Sequence, residues 1–282
     1  MSKFGDYEDN PFLAELYDIV PRYSGRRDLD FYLDICRSAG GKVLELGCGT
    51  GRVLLPIAAA GIEIVGLDLS PHMLANCRQN LLAQPKSVQN RIRLVQTSMM
   101  DFDLGEEFDS IIIPFRPFQH LVAVADQIAC LRCAHRHLRP GGVLAFDLFQ
   151  VALDKITDPR RTEEVEDIPE FELPDGRRMR RCGRFAATHR AEQYNDVEII
   201  YYITHPDGGT ERLVQGFPFR YFFRYEVEHL LARTGFDVAA VCGDFDNSPL
   251  TDNSPEMIFV ATKATDYNGV DDICADRAES SR

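Results

Sequence analysis

The chain reads Val43-Leu-Glu-Leu-Gly47-Cys-Gly49-Thr-Gly51, a short apolar run followed directly by three alternating glycines. An apolar run of this length is typical of a buried parallel strand. Residues 53–60 are mostly apolar and end at Gly61, which predicts a helix. A strand, a glycine turn and a helix together bring backbone N–H groups close to a ligand, with no side chains between. The segment therefore predicts a ligand-binding turn in an α/β fold, with a turn that binds no ligand as the alternative.

The spacing of these glycines separates several kinds of nucleotide-binding turn. A dinucleotide fingerprint requires a third glycine where this chain has Arg52, and a P-loop requires a lysine that does not follow Gly51. The pattern present here, G-x-G-x-G after a strand that contains an acid, closely resembles the first motif of class I S-adenosylmethionine (SAM)-dependent methyltransferases. The resemblance implies SAM as the cofactor. It also implies that the turn contacts the amino-acid part of SAM and that the strand acid fixes the loop, which gives the cofactor-binding residues Glu45, Gly47, Cys48, Gly49 and Gly51.

Further cofactor contacts are expected on both sides of this motif. In the resembling enzymes, a tyrosine in a preceding helix reaches the SAM carboxylate, and the candidates here are Tyr17 and Tyr23. Either ring has the alternative role of packing its helix against the core. Asp68 ends the next predicted strand, at the sheet edge where open α/β folds bind ligands. Its carboxylate can accept both ribose hydroxyls of SAM, which is where the family places its ribose acid.

The adenine end of SAM is expected near the third predicted strand. The family commonly has an acid at the position of Ser98, so this chain departs from the pattern, and a hydroxyl or the backbone N–H of Met99 would replace that contact. Met73 is a further candidate for resting on the adenine, although a helix methionine is more often part of the core. Leu69 and Pro114 complete the expected cofactor site.

A second motif, Pro114-Phe-Arg-Pro-Phe-Gln-His120-Leu121, follows the fourth predicted strand. It resembles the P-F-N-S-F-x-H-L pattern of small-molecule methyltransferases, with an Arg-Pro pair in place of the polar pair. Histidine changes its charge near neutral pH, so His120 is the first candidate for a catalytic base, with a structural role at a helix start as its alternative. Asp147 in the fifth strand is the second candidate. Arg116 and Phe118 are the candidate substrate-binding residues, and Arg116 is expected to anchor a carboxylate or phosphate of the acceptor.

One cysteine motif raises the question of a metal site. Cys130 and Cys133 form a C-x-x-C sequence with His135 and His137 close by. In a helix the two cysteines lie one turn apart, whereas the histidines point to different sides of it. Because no second group of ligands is present, we expect a buried thiol face and no metal.

Composition limits the remaining classes of protein. The chain has 282 residues, 45% of them hydrophobic, and no apolar run approaches the ~18 residues of a membrane span. The first ten residues are polar, unlike a signal peptide, and eight scattered cysteines favour reduced thiols. These features predict a cytoplasmic protein without membrane contact. A net charge of −13 repels phosphate backbones, so nucleic acid is not an expected partner.

The order of predicted elements indicates a doubly wound, mostly parallel seven-stranded sheet with helices on both faces. Residues 1–149 and 223–264 are expected to form this SAM-binding core, with an L-x-P-G-G turn at 138–142 as a second family feature. Residues 150–222 change to segments rich in β-formers and predict an inserted antiparallel sheet. This insertion is expected to form a lid over the substrate, with a homodimer surface as its other role. Residues 265–282 are polar and predict a mobile tail.

The resemblance implies methyl transfer from SAM to a small-molecule acceptor with an N or O nucleophile, by in-line displacement. Such an enzyme mainly has to align the reacting atoms and exclude water, which explains why no catalytic triad stands out. Two other classes remain open at this point. One is a SAM-binding protein without catalysis, and the other is a nicotinamide-dependent oxidoreductase on the same layered fold.

Overall fold

A computed structural model describes residues 2–5, 11–20 and 26–265. Its strands, in chain order, are β1 (Ser2–Gly5), β2 (Val43–Leu46), β3 (Ile64–Asp68), β4 (Ile92–Gln96), β5 (Phe108–Ile113), β6 (Leu138–Phe149), β7 (Val165–Glu172), β8 (Arg178–His189), β9 (Tyr194–Thr204), β10 (Thr210–Arg220), β11 (Phe236–Cys242) and β12 (Glu256–Lys263). Its helices are α1 (Pro11–Tyr17), α2 (Asp28–Ala39), α3 (Leu54–Ala59), α4 (Pro71–Leu82), α5 (Lys86–Gln89), α6 (Val124–His137), α7 (Leu153–Thr157) and α8 (Arg224–Arg233). Two 3₁₀ turns cover Pro117–His120 and Pro159–Thr162.

The central sheet confirms the predicted fold class. Its seven strands lie in the order β11-β12-β6-β5-β2-β3-β4. The five strands from β6 to β4 run parallel, while β12 is antiparallel to β6 and β11 is antiparallel to β12. This is the doubly wound, mostly parallel sheet that the alternation of strands and helices predicts.

Burial of β2 explains why the fold is organised around it. Leu44 and Leu46 pack into one apolar cluster with Ile111 and Ile113 of β5. Val43 belongs to a second cluster, which includes residues of α2, α3 and α4. Helices therefore cover both faces of the strand, as expected for a continuous apolar run in a parallel sheet.

The insertion forms a second sheet with the order β1-β10-β9-β8-β7. The four strands β7 to β10 pair antiparallel, as predicted for residues 150–222. The fifth strand, β1, comes from the chain start and pairs parallel with β10. Leu13 and Leu16 of α1 also pack against this sheet, in a cluster with Met179 and Tyr201. The prediction that residues 1–149 belong wholly to the core is therefore corrected, because the edge of β10 recruits the chain start.

The remaining predictions concern membrane spans, the cysteines, metal sites and the end of the chain. Among the described residues, no helix combines the length and apolar character of a membrane span. The described cysteines are buried and free, and Cys130 and Cys133 lie on the face of α6 that packs into the core. Within residues 2–5, 11–20 and 26–265, no three His, Cys, Asp or Glu side chains are grouped to hold a metal ion. The predicted mobile tail, residues 265–282, lies outside the described residues except for Thr265, and so does the candidate Tyr23.

Candidate functional site

The glycine turn, residues 47–51, connects β2 to α3. Gly47, Gly49 and Gly51 have φ angles of +74°, +54° and +92°, in the left-handed region that favours glycine. The N–H groups of Gly47 and Cys48 donate to the carbonyl oxygen of Leu67 in β3, over 2.8 and 2.9 Å. A Cβ atom at Gly47 would lie 2.9 Å from Cγ of Pro117, which is closer than real contacts allow. The turn thus needs glycine at this position for its backbone shape and for its contact with residue 117.

Asp68 ties the end of β3 to this turn. Its Oδ2 atom accepts from the N–H of Gly49 over 2.8 Å, and its Oδ1 atom accepts from the N–H of Ser70 over 2.9 Å. Burial raises the pKa of Asp68 above its ordinary value, although the backbone N–H groups of Ser70, Gly49 and Leu69 favour the charged form. Leu69, the next residue, is 47% exposed. Asp68 therefore fixes the glycine turn to the end of β3.

Glu45 lies beneath the turn and is almost fully buried. Its Oε2 atom has no hydrogen-bond partner among the described residues. Burial is the largest influence on the pKa of Glu45 and raises it well above its ordinary value, while the charge of Arg52 acts in the opposite direction. These conditions favour the neutral carboxylic acid within the folded protein.

The leading helix is attached to the turn through Asp18. The hydroxyl of Thr50 donates to Oδ1 of Asp18 over 2.6 Å. Asn80 of α4 donates from Nδ2 to Oδ2 of Asp18 over 3.0 Å and to the carbonyl of Thr50 over 3.1 Å. The ring of Tyr17 meets the ring of Phe115 edge to face, with centroids 6.0 Å apart. Asp18 therefore joins the end of α1 to the glycine turn, a role that was not predicted, whereas the contact of Tyr17 with SAM stays a prediction.

Arg26, Asp28 and Arg52 form a largely buried network of ion pairs. Arg52 donates from both terminal nitrogens to the two oxygens of Asp28, each over 2.7 Å, and Arg26 adds a bond from Nε over 3.0 Å. Burial raises the pKa of Asp28, but the bonds and charges of Arg52 and Arg26 outweigh it and leave the pKa below its ordinary value. The position that would hold the third glycine of a dinucleotide fingerprint is thus occupied by a paired arginine.

Asp147 is the centre of the same network, and its predicted role as a substrate-facing base is corrected. Its side chain is fully buried. Oδ1 accepts from the hydroxyl of Tyr32 over 2.6 Å and from the N–H of Phe115 over 2.7 Å, and Oδ2 accepts from Arg26 over 3.1 Å. A carboxylate with these donors and no exposed surface is a positioning group.

Arg116 also differs from its prediction as an anchor for an acceptor anion. It is 4% exposed, donates to Glu256, and places Nε 3.8 Å from Oδ2 of Asp147. Burial is the largest influence on the pKa of Arg116 and lowers it, although Asp147 and Glu256 favour the charged form. Its guanidinium lies 3.5 Å from the ring centroid of Phe149. The charge of Arg116 is neutralised inside the protein, so the side chain has a structural role in the bridging segment.

The bridging segment, residues 114–121, carries this arginine and starts with a buried proline, Pro114. Phe115 and Arg116 both have a φ of +69°, an uncommon conformation for residues with side chains. Phe118 packs between Phe146 and Phe222, at centroid distances of 5.3 and 5.5 Å. Because Phe118 is 1% exposed, its predicted contact with substrate is corrected to a core role.

His120 is the last residue of the 3₁₀ turn in the bridging segment and is exposed. Its ring lies 5.0 Å from the ring of Phe217 and 5.2 Å from that of Phe219, both on β10 of the insertion. Phe149, at the end of β6, approaches Phe219 at 6.2 Å. The structure thus brings His120 to the boundary between core and insertion, where a small molecule would meet both.

The predicted adenine contacts divide into two groups. Met99 is half-buried, and its Cε atom would lie 3.7 Å from a Cβ at Gly47, so it borders the turn. The Ser98 hydroxyl accepts from the N–H of Met100 over 3.1 Å within its own loop. Met73 is 4% exposed, so its predicted cofactor contact is corrected to core packing in α4.

Gln119, which was not among the predicted site residues, connects three elements. Its Nε2 atom donates to the carbonyl of Arg220 at the end of β10 over 2.6 Å. Its Oε1 atom accepts from the N–H of Phe149 at the end of β6 over 2.8 Å. A polar residue between Phe118 and His120 was the only sign of this role in the sequence, and it does not reveal such distant partners.

Comparisons with known proteins agree with this geometry. Residues 43–142 match the model of a family described as a methyltransferase domain. The putative methyltransferase YqeM of Bacillus subtilis (strain 168) is 24% identical over 255 residues, which cover 89% of this chain and 96% of that protein. The dTDP-3-amino-3,6-dideoxy-alpha-D-glucopyranose N,N-dimethyltransferase of Streptomyces fradiae is 30% identical over 141 residues, or 48% of this chain and 52% of that one. SAM-bound CalS10, an amino pentose methyltransferase from Micromonospora echinaspora, superposes with a TM-score of 0.67 at 25% identity and covers 88% of this chain and 97% of its own.

The sheet order, the left-handed glycine turn and the acid at the end of β3 define a SAM-binding α/β protein. Together with the match over residues 43–142 and these relatives, they place the chain among the class I SAM-dependent methyltransferases. The chain is therefore an enzyme, a methyltransferase that uses SAM.

Proposed function

We propose that this enzyme methylates the nitrogen of a small-molecule amine, with His120 as the group that receives the proton of the amine. The S. fradiae relative is named for N,N-dimethylation of an amino sugar, and CalS10 is named for an amino pentose. These names support nitrogen as the nucleophile. The exposed imidazole of His120, at the boundary of core and insertion, supports the position of the base.

One observation carries the proposal: the bridging segment contacts both halves of the site. Pro117 packs against Gly47 of the glycine turn, and His120 packs against Phe217 and Phe219 of the insertion. A 3₁₀ turn rises 2.0 Å per residue, so these contacts lie about 6 Å apart along its axis. One short turn that borders both the SAM site and the methyl-acceptor site would hold the reacting atoms in line. Alignment of these atoms is the main requirement of methyl transfer.

The residues around the glycine turn fit SAM. We place the amino-acid part of SAM at Gly47, Cys48, Gly49 and Gly51, with Glu45 and Tyr17 as neighbours. Gly49 supports this placement, because no heavy atom of the described residues lies within 4 Å of where its Cβ would be, whereas Cys48 and Gly51 are buried. A carboxylate offers about four lone-pair positions, so Asp68 keeps acceptor capacity for ribose hydroxyls beyond its backbone bonds. In this proposal the adenine region is bordered by Leu69, Ser98, Met99 and Pro114.

The chemistry that SAM supplies when bound is a methyl group on a sulfonium, which is already a good leaving group. The chain contributes alignment and the handling of one proton. An amine reaches the site largely as an ammonium ion, whose nitrogen has no free electron pair. His120 accepts one proton, the neutral nitrogen then forms a bond to the methyl carbon as the carbon–sulfur bond breaks, and the exposed ring returns the proton to solvent.

The test is a pH series with His120→Gln. We expect kcat at pH 7 to fall about 100-fold, with SAM affinity unchanged, because general base catalysis contributes about 10²–10⁴. The loss should shrink as the pH approaches the pKa of the acceptor amine, because solvent then removes the proton. Release of S-adenosylhomocysteine and the mass of the product measure the rate and the methylated atom.

A matched control is His229→Gln, because His229 is an exposed histidine on α8. This variant should keep the parental rate at every pH. An equal loss for His120→Gln across the whole pH range would contradict a base role and indicate a structural one. Methylation found only on oxygen would contradict the proposed nucleophile.

A further inference from the structure

We propose that the amine acceptor has an uncharged, apolar ring system as its body, bound by the aromatic end of the inner face of the insertion. This inference rests on the proposed N-methylation and names the substrate class for the same site. It differs from what the S. fradiae relative is named for, since the amino sugar in that name is linked to dTDP, a nucleoside diphosphate.

The inner face of the insertion is defined by its strand register. Phe185 of β8, Val197 of β9 and Phe217 of β10 are directly opposite one another, and opposite residues share a face. Further along the same face, Met179 and Tyr201 are buried against α1. The row at Phe217 is only half-buried. The face is therefore covered by α1 at one end and accessible at the end next to His120.

Aromatic rings surround His120 at this accessible end. Phe217 and Phe219 meet edge to face with centroids 5.8 Å apart, and each lies within 5.2 Å of the imidazole. Phe149, which is 42% exposed, adds a third ring from the core side. An apolar ring placed here would replace water on three aromatic surfaces, and its amine would lie beside the base. An ammonium group next to these rings is also favoured by their π-electron faces.

The charges around this surface do not suit a diphosphate. Arg116 is neutralised by Glu256 and Asp147. On the inner face, Arg181 donates to both oxygens of Asp167 over 3.0 and 2.7 Å. Arg220 donates to Glu226 over 2.6 Å and to the carbonyl of Val122 over 2.9 Å. Guanidinium groups recognise a diphosphate when their N–H donors can turn to it. Arg116, Arg181 and Arg220 instead donate to acidic or carbonyl groups of the protein.

The first experiment compares acceptors that share a primary amine. With the purified full chain and SAM, kcat/KM is measured for 2-phenylethylamine, cyclohexylmethylamine, glucosamine and the dTDP-linked 3-amino-3,6-dideoxyglucose. We expect the two apolar amines to exceed both sugars at least tenfold. A sugar that equals or exceeds the apolar amines would overturn this inference and leave N-methylation standing. If no amine is methylated while SAM still binds in calorimetry, the proposed function fails together with the inference.

The second experiment tests the surface itself with Phe219→Ala. We expect KM for the better apolar amine to rise about tenfold, with kcat within about twofold and SAM affinity unchanged, because the ring binds the acceptor body and takes no part in proton transfer. Phe219→Leu should restore most of the affinity, which distinguishes lost apolar surface from a folding defect. The control is Tyr225→Ala, an aromatic residue 67% exposed on α8. A rise in KM as large in Tyr225→Ala, or no rise in either Phe219 variant, would contradict the assignment.

Discussion

Asp147 stabilises a strained piece of backbone. Phe115 and Arg116 are consecutive non-glycine residues with φ of +69°, a conformation that costs on the order of 1–3 kcal/mol at each position. Asp147 offsets this cost by accepting the Phe115 N–H, and it holds Arg26 and Arg116 in place by charge. The carboxylate thus determines the shape of the bridging segment without touching a substrate.

Replacing Asp147 by Asn should therefore be strongly destabilising. The change leaves two largely buried guanidiniums without part of their countercharge, and breaking buried pairs of this kind costs about 3–5 kcal/mol. Urea denaturation followed by circular dichroism measures the loss. Asp237→Asn, on the exposed side of β11, is the control and should stay within about 0.5 kcal/mol of the parent. An equally small change in Asp147→Asn would show that the network contributes little.

Glu45 provides a prediction in pH. Its folded-state pKa lies well above the ordinary value of 4.5, mainly because of burial. The folded chain therefore holds this proton more tightly than the unfolded chain, so the contribution of Glu45 to stability is present below pH 4.5 and is lost as pH rises toward the folded pKa. Glu45→Gln lacks the titration, so its free energy of unfolding should gain on that of the parent as pH rises. Two parallel stability curves from pH 4 to 8 would contradict the raised pKa.

At the scale of elements, the bridging segment is held between core and insertion by Gln119. Its side chain joins the carbonyl of Arg220 on β10 to the N–H of Phe149 on β6. The residue is 1% exposed, so water does not replace either bond when the amide is removed. The aromatic end of the insertion therefore owes its position over His120 partly to this one side chain.

Gln119→Ala should loosen the insertion selectively. Leaving buried groups without partners costs about 1–3 kcal/mol each, and the amides at Phe149 and along β10 should exchange hydrogen faster. We expect KM for the acceptor to rise more than the Kd of SAM, because the glycine turn keeps its own bonds. Gln89→Ala is the control, because this half-buried residue at the end of α5 also donates from its amide to two backbone carbonyls, those of Leu82 and Gln84. A larger effect on SAM than on the acceptor would contradict this division of roles.

Local patterns explain how far the sequence leads at this scale. The apolar run and the glycine turn are each encoded within a few residues, and the structure contains both as a buried strand and a left-handed turn. The start of α4 is equally local, because the N–H of Met73 donates to the Ser70 hydroxyl over 3.1 Å and Pro71 is the first helical residue. Asp147 and Arg116 were assigned differently because their partners, Tyr32 and Glu256, lie 115 and 140 residues away in the chain. The charges of Asp147 and Arg116 predict contact with substrate. In the folded chain, both side chains instead pair with polar groups of the protein itself. No local signal indicates such pairing.

At the scale of the whole molecule, α1 connects the two sheets. Its Leu13 and Leu16 pack under the insertion, and Asp18, directly after it, accepts from Thr50 in the glycine turn. Strand β1, which precedes α1, joins the edge of β10. A ligand that orders the glycine turn would therefore also stabilise the insertion, through contacts that run along the chain start. This arrangement predicts coupling between the cofactor site and the acceptor surface.

Asp18→Ala should uncouple the two regions. In the parent, SAM at 100 times its Kd should raise the free energy of unfolding by about 2.7 kcal/mol and slow hydrogen exchange in both the glycine turn and β8–β10. In the variant we expect protection of the turn by SAM, at a concentration adjusted to its weaker Kd, without protection of β8–β10, because the Thr50 and Asn80 bonds to residue 18 are gone. Asp34→Ala, at an exposed position of α2, is the matched control and should behave as the parent. Equal protection of β8–β10 in the Asp18 and Asp34 variants would show that the coupling runs through the bridging segment instead, since that segment also joins the glycine turn to β10.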